Sequence, residues 1–376
     1  MSKKKETIVF FSGYHIPHLG GIERYTENLG QELLKKGYDV IVVTSKYIDL
    51  PDEETINGIR IIRLPIYNVF TNRYPIPKKN NKYKELMKKL DNLKIKAIIV
   101  NTRFHLTSLV GAKYGKKHNI PVFQVEHGSG HLTIDNKILD FFGLIYEHIL
   151  TIYIKRYIDY SYGVSLEASN WLKHFKINPS GVWYNSIKPF GEKLKLDKNN
   201  DIINITYAGR VLKQKGLNRL IDSFIKLNNN KAKLFIAGDG NLLPQLKKEY
   251  EKNDNVIFLG KLNFDDLIKL YAKTDIFVYA PIWPEGLPTG ILEAGYMKCS
   301  VIASPLGGTK EIIEDKKNGI MINDNTEMYE ALKLLIEDTN LRKKYSEALY
   351  NTVLAKFMWS TTSDIIINDI NKKRKN

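Results

Sequence analysis

Short runs rich in Ile, Val and Phe alternate with stretches of helical periodicity along nearly the whole chain. This alternation limits the fold more than any other feature. In the first half, Thr7–Phe11, Asp39–Thr44, Ile59–Leu64, Ala97–Val100, Val122–Val125 and Tyr162–Val164 read as strands. They are almost continuously apolar, the pattern of strands covered on both faces, so a parallel sheet flanked by helices is expected. The stretch after Gly20–Gly21 places Ile22, Tyr25, Leu29 and Leu33 on one helical face. A second series repeats the plan: Ile203–Ala208, Leu234–Ala237, Val256–Leu259, Ile276–Tyr279 and Val301–Ala303 are its strands, and Leu220, Ile221, Phe224 and Ile225 line one face of the helix Leu217–Leu227. Between the two series, Pro189, Gly191 and several lysines break the pattern. At 376 residues the chain exceeds what one core usually serves. The expectation is an α/β protein of two Rossmann-like domains, residues 1–185 and 203–356, joined by a linker at 186–202. Their parallel sheets would face each other across a cleft, with ligands at the carboxyl ends of the strands.

Composition narrows the function classes. The formal net charge of +16 suggests anionic partners such as phosphorylated substrates or a membrane surface, or a lysine-rich solvated surface. The single cysteine, Cys299, rules out a disulfide framework and sits in an apolar stretch as a small core residue. No targeting signal and no run of about 18 apolar residues is visible, so a cytoplasmic protein is expected. Phe141–Tyr162 reads as a partly buried amphipathic helix interrupted by charges. Lys78–Leu90 interleaves lysines with Tyr83, Leu86, Met87 and Leu90, which suits either an anionic membrane face or a solvated helix. No signature of an RNA- or DNA-binding module is present, and no nucleic-acid partner is expected.

Four segments carry chemistry. Gly20–Gly21 follows the first strand and opens a helix, where free amides and the positive end of the dipole suit a phosphate; an ordinary turn fits the same residues. Gly209-Arg210 and Lys215-Gly216 follow the first strand of the second half. A guanidinium forks onto phosphate oxygens and an ammonium acts as a point charge, so the pair could neutralise a diphosphate. Seven residues separate Glu285, in an irregular loop with Gly286, Leu287 and Pro288, from Glu293, in the first turns of a helix starting at Thr289 and Gly290. Two carboxylates there could accept hydrogen bonds from sugar hydroxyls, with helix-start amides between them. Glu126-His127-Gly128-Ser129-Gly130 follows a strand of the first half, where a histidine would face the second; a purely structural histidine fits the same residue. No HxH or HxxxH set with supporting carboxylates is evident, and no metal site is expected.

Together these segments resemble glycosyltransferase family four, the retaining family with the GT-B fold that uses nucleotide sugars. The likeness runs from Thr7 to Trp359 and includes Gly238-Asp239-Gly240 and the late Phe357-x-Trp359. It implies a metal-independent transfer from a UDP- or GDP-sugar, without a cofactor, to a glycan or lipid-linked acceptor. Polysaccharide or glycolipid synthesis, at times peripheral on the inner membrane face, is the setting it implies. Residues 357–376 would return to the first domain. Gly20 and Gly21 would meet the donor phosphate, Gly21 through its amide. Arg210 and Lys215 would stabilise the leaving diphosphate, and His127 would lie over the donor sugar. Glu285 would bind sugar hydroxyls, Glu293 the ribose, and Leu262 the base through its backbone. Gly286, Leu287, Thr289 and Gly290 would complete the donor site. Two departures stand out: Pro288 removes an amide from the donor loop, and Tyr184-Asn185-Ser186-Ile187 stands where Asn-Gly-Val-Asp is usual. A nucleotide-sugar epimerase or hydrolase on the same fold, and a non-catalytic partner subunit, are the alternative readings.

Overall fold

A computed structural model describes residues 5–18, 20–67, 75–131, 137–191, 194, 198, 202–283 and 286–373. The chain divides into two compact units, residues 1–185 with 359–376, and Ser186–Met358. In the first unit the strands are β1 (Thr7–Phe11), β2 (Asp39–Lys46), β3 (Glu53–Ile56), β4 (Ile59–Tyr67), β5 (Ile76–Pro77), β6 (Ile95–Asn101), β7 (Val122–Glu126), β8 (Tyr160–Gly163) and β9 (Gly181–Val182). In the second they are β10 (Ile203–Ala208), β11 (Ala232–Ala237), β12 (Val256–Gly260), β13 (Ile276–Tyr279), β14 (Ser300–Ala303) and β15 (Ile320–Met321).

The first sheet runs β3-β4-β2-β1-β6-β7-β8-β9, and the second β12-β11-β10-β13-β14-β15. Neighbours are parallel throughout the second sheet and from β4 to β9 in the first. The exceptions are β3 and β5, which pair antiparallel with β4 at the edge. These two strands escape a reading based on apolar runs because β3 is mostly polar and β5 is only two residues long. In each unit the chain order reverses beside the first strand. β1 lies between β2 and β6, and β10 between β11 and β13. Open α/β sheets bind ligands at such reversals, outside the carboxyl ends of the strands.

Each sheet is buried by helices on its faces. In the first unit Tyr25, Leu29 and Leu33 of the helix Gly21–Lys35 pack with Phe10, Phe123, Tyr162, Trp183 and Trp359. The last helix, Trp359–Lys373, belongs to this core, and Trp183 Nε1 donates to Asp369 Oδ2 at 2.9 Å. The second core is largely aliphatic and includes Leu217, Leu220, Ile221 and Phe224. Cys299 is a buried free thiol in the same unit.

The helix Lys137–Ile154 departs from the expected amphipathic pattern. It buries only Glu147, Leu150, Thr151 and Ile154. Its outer face carries Ile138, Phe141, Phe142, Ile149 and Ile152, each more than half exposed. Glu147 faces inward because it joins a buried ion network with Arg103, while these apolar side chains lie outside. Among the described residues, no helix is long and apolar enough to cross a membrane.

Candidate functional site

In the second unit, three loops meet at the carboxyl edge of the sheet. The backbone ties them together: Gly209 N donates to Ala237 O at 3.0 Å, Val211 N to Asp239 O at 2.9 Å, and Gly238 N to Gly260 O at 2.7 Å. The approach is so close that a Cβ on Gly238 would lie 1.8 Å from Gly209 O. Gly238 has φ +146° and Gly209 φ +155°, so both positions call for glycine by conformation, and Gly238 by space as well.

Arg210 leaves this knot exposed, its own carbonyl accepting from Tyr207 Oη at 2.8 Å. Lys215 ends the 3-10 turn Lys213–Lys215 and is 9% exposed. Its Nζ lies 5.4 Å from the Tyr279 ring centroid at the end of β13, a cation–π distance. Gly216 makes this possible. It holds φ +67°, and a Cβ there would come within 2.3 Å of Ala280 O. Ile282 N donates to Gln214 O at 2.9 Å, which joins the β10 and β13 loops across the chain reversal.

Beyond β13, Leu287 is buried and the helix Thr289–Tyr296 begins. Gly308 N donates to Gly286 O at 3.2 Å, so the loop after β14 supports this turn. Pro288 is the residue before the helix and leaves the amides of Thr289 and Gly290 at its start. Glu293 is half buried and lies near enough to the buried Tyr271 to help hold its hydroxyl protonated, after the larger effect of burial. Leu262 is half exposed in the loop between β12 and the helix Phe264–Lys273. Glu285 lies outside the described residues. The sequence-predicted residues Arg210, Lys215, Leu262, Gly286, Leu287, Thr289, Gly290 and Glu293 therefore share one sheet edge, in loops that follow β10, β12 and β13.

In the first unit the corresponding edge carries Gly20, Gly21 and His127. Gly21 is the first residue of its helix, and a Cβ there would meet nothing within 4 Å. The chain's own packing does not demand glycine at this position. Gly20 N donates to Glu23 Oε2 at 2.8 Å, so a carboxylate already caps this helix start. His127 follows β7. Its Nε2 lies 3.0 Å from Asn101 Oδ1 and its ring meets Tyr25 edge-on at 4.9 Å.

Asn101 fixes the tautomer. Its Nδ2 donates to Thr26 Oγ1 at 2.8 Å, and that hydroxyl donates to Ile22 O at 2.9 Å. The amide oxygen must then face the imidazole, so Nε2 carries the proton and Nδ1 keeps its lone pair. Burial, with a smaller contribution from nearby His105, pushes the His127 pKa down to about 3. His127 is thus a neutral acceptor at ordinary pH.

The loop bearing His127 is anchored from below. Arg103 Nη1 pairs with Glu126 Oε2 at 2.6 Å and Nη2 with Glu147 Oε2 at 2.9 Å, all three residues being buried. Sequence reading missed Asn101, Arg103 and Glu147, since their meaning depends on partners that are far away in the chain. It also missed Gly13, where a Cβ would fall 2.3 Å from His105 Nδ1. A glycine just past the first strand was the available signal.

A third feature lies on the first unit. A groove of about 590 Å³ is lined by Tyr83, Met87 and Leu109 together with Lys79, Lys84, Lys88, Lys113 and Lys117. Lys113 Nζ donates to Tyr153 Oη at 3.2 Å, which joins this basic groove to the helix with the exposed apolar face.

Comparison with known proteins agrees with this architecture. Residues 19–189 match the family described as Glycosyltransferase Family 4, and residues 191–352 the family described as Glycosyl transferases group 1. The chain is 27% identical over 378 residues to an uncharacterized glycosyltransferase of Methanocaldococcus jannaschii, covering 95% of this chain and 96% of that one. It is 25% identical over 362 residues to the alpha-monoglucosyldiacylglycerol synthase of Acholeplasma laidlawii, covering 86% and 87%. In structure it is similar to HepE of Anabaena, solved in complex with UDP, with a TM-score of 0.76 at 16% identity over 97% of this chain and 100% of that one. Two chain-order reversals, the glycine knot at the second sheet edge and both family matches agree: the chain is a glycosyltransferase of family four with the GT-B fold.

Proposed function

We propose that the protein is a retaining glycosyltransferase that moves a sugar from a nucleoside-diphosphate donor to a lipid-linked or glycan acceptor. The observation that carries this reading is the placement of Lys215. It is a nearly buried ammonium at the chain reversal between β10 and β13, beside the exposed Arg210 and within one sheet edge of the Thr289 helix start. A buried ammonium acts with little solvent screening, so it stabilises a departing diphosphate strongly. Arg210 adds a bidentate donor, and the amides of Thr289 and Gly290 add the positive end of a helix. Glu293 accepts from the ribose hydroxyls, and Glu285 from those of the sugar. Leu262 meets the base through its backbone. Neutral His127 offers its Nδ1 lone pair to a donor-sugar hydroxyl, and the Gly21 amide, where a Cβ would meet nothing within 4 Å, meets the donor phosphate.

The reading gives the diphosphate charge to Arg210 and Lys215 without a divalent ion at that place. Retention then requires the acceptor oxygen to attack from the face the diphosphate leaves. The leaving group's own oxygen then takes the acceptor proton, while the cationic pair neutralises its remaining charge. The UDP complex of HepE and the glycolipid product named for the Acholeplasma enzyme support a nucleotide donor and a lipid acceptor.

We place the enzyme peripherally on the inner membrane face. The support is the exposed apolar face of Lys137–Ile154 and the adjoining lysine groove, which add an insertion surface to the basic segment at Lys78–Leu90. Screening nucleotide sugars for a rise in Tm, then following the product by mass spectrometry and anomeric NMR, tests the function. Release of free sugar in the presence of acceptor, or an inverted anomeric centre, would overturn it.

A further inference from the structure

Three histidines that take no part in sugar transfer converge in the first unit. His131 lies in the loop after β7, His148 in the helix Lys137–Ile154, and His174 in the 3-10 turn Leu172–Phe175. One ring nitrogen from each lies within 4.8 Å of the others. The ring centroids are 5.5 Å apart for His131 and His148, 5.1 Å for His131 and His174, and 5.2 Å for His148 and His174. They come from three separate elements, so no short spacing in the sequence announces them.

The surroundings orient them. His131 Nδ1 sits 3.0 Å from Glu147 Oε2, which leaves Nε2 as the ligating atom. A carboxylate behind a ligating imidazole fixes its tautomer and raises its basicity. That carboxylate is itself held by Arg103 at 2.9 Å. His174 stacks on Trp171 at 4.7 Å with the rings 4° from parallel. We propose that His131, His148 and His174 bind one divalent transition-metal ion of the zinc class, with its fourth position open to water. Three imidazoles without thiolate suit zinc, cobalt, nickel or copper rather than magnesium or calcium. Metal–nitrogen bonds of about 2.05 Å at a tetrahedral centre place the nitrogens on the order of 3.4 Å apart. Rotation of the side chains supplies that contraction.

The ion would join the loop, the helix and the 3-10 turn. Through Glu147 and Arg103 it would connect to Glu126, the residue before His127. The ion would thus clamp the segment that leads from the His127 loop, and it is separate from the charge on the diphosphate.

Cobalt titration of the metal-stripped full-length protein, followed by visible absorption and competed with zinc, tests the site. The expected result is one equivalent of cobalt bound with the intense bands of a tetrahedral centre, displaced by zinc. His174→Gln removes an exposed ligand and should keep the fold, checked by circular dichroism and Tm. It is expected to lose the tetrahedral bands and to weaken cobalt binding by at least about tenfold, the scale of losing a determinant of metal affinity. His118→Gln, a histidine away from the cluster, should bind as the parent does. Absence of a saturable one-to-one complex, or equal affinity in the His174→Gln protein, would overturn the proposal. So would equal weakening by His118→Gln, which marks scattered surface binding.

Discussion

The two units share a plan but make their ligand edges by different means. The second uses backbone. Gly209, Gly216, Gly238 and Gly240 bring loops together so closely that a Cβ at Gly216, Gly238 or Gly240 would lie within 2.3 Å of a carbonyl oxygen. The first uses buried side chains. Arg103 holds Glu126 and Glu147, and Asn101 and Thr26 aim His127. A backbone edge presents amides and a helix start, which suit a phosphate common to many donors. A side-chain edge can be altered by substitution without rebuilding the turn. The difference fits the proposed neutralisation of leaving-group charge on the second unit and the proposed acceptor side on the first.

Removing Arg103 is the most severe way to break this contrast. Arg103→Met would leave Glu126 and Glu147 buried without their shared cation, and losing one partner of such a network costs about 3–5 kcal/mol. Denaturant unfolding should show the loss in the first unit's transition. Removal of both carboxylates together with the arginine should recover much of it.

Lys215→Ala should act in the opposite sense, on turnover rather than on folding. Loss of one preorganised electrostatic partner typically lowers kcat by about 100- to 1,000-fold. The expectation is that decrease, with donor still raising Tm. Near-parental turnover in a folded Lys215→Ala protein would remove the diphosphate role. Turnover should also survive EDTA once any loss of fold is accounted for by Tm.

The two glutamates sharpen the second edge from within. Glu285→Gln should lower kcat with a modest change in donor KM, because charge develops at the sugar. Glu293→Gln should mainly raise donor KM. A shared, purely KM effect would separate Glu285 from the sugar, and loss of kcat in Glu293→Gln alone would exchange the two roles.

A smaller effect separates the first edge by pH. Burial holds His127 down to about 3 and His105 to about 4, both below the usual histidine value near 6.5. A depressed folded pKa means that the unfolded chain binds more protons as pH falls. Their contribution is complete above about pH 6.5 and is lost progressively below it, through the folded values. His127→Gln should therefore lose less Tm than the parent between pH 7.5 and 4.5, by a few degrees. Parallel curves would show that His127 is not held neutral.

The smallest expected effect concerns the outer surface. Phe142→Ser should weaken flotation with anionic vesicles at high salt, where apolar insertion remains, while lysine substitutions in Lys78–Leu90 should act only at low salt. Each lysine near such a surface contributes about 1 kcal/mol. Equal binding by Phe142→Ser at both salt concentrations would leave the apolar face without that role.

The sequence alone determined the two α/β series, because a strand covered on both faces must be apolar throughout and a helix must repeat near every 3.6 residues. It also determined the loops that hold Arg210 and Lys215 and the turn that leads into the helix of Glu293, since glycines at strand ends mark where the backbone turns and a ligand can approach. It did not reveal β3, whose mostly polar residues pair at an edge, or β5, which is only two residues long. Nor did it show the outward apolar face of Lys137–Ile154, because periodicity reports a face and not what lies against it. Only tertiary structure decided the tautomer of His127, the Arg103 network and the meeting of His131, His148 and His174. These depend on side chains from separate elements reaching hydrogen-bond distance. The interaction energy falls steeply with distance and angle, so its existence is a property of packing rather than of any local pattern.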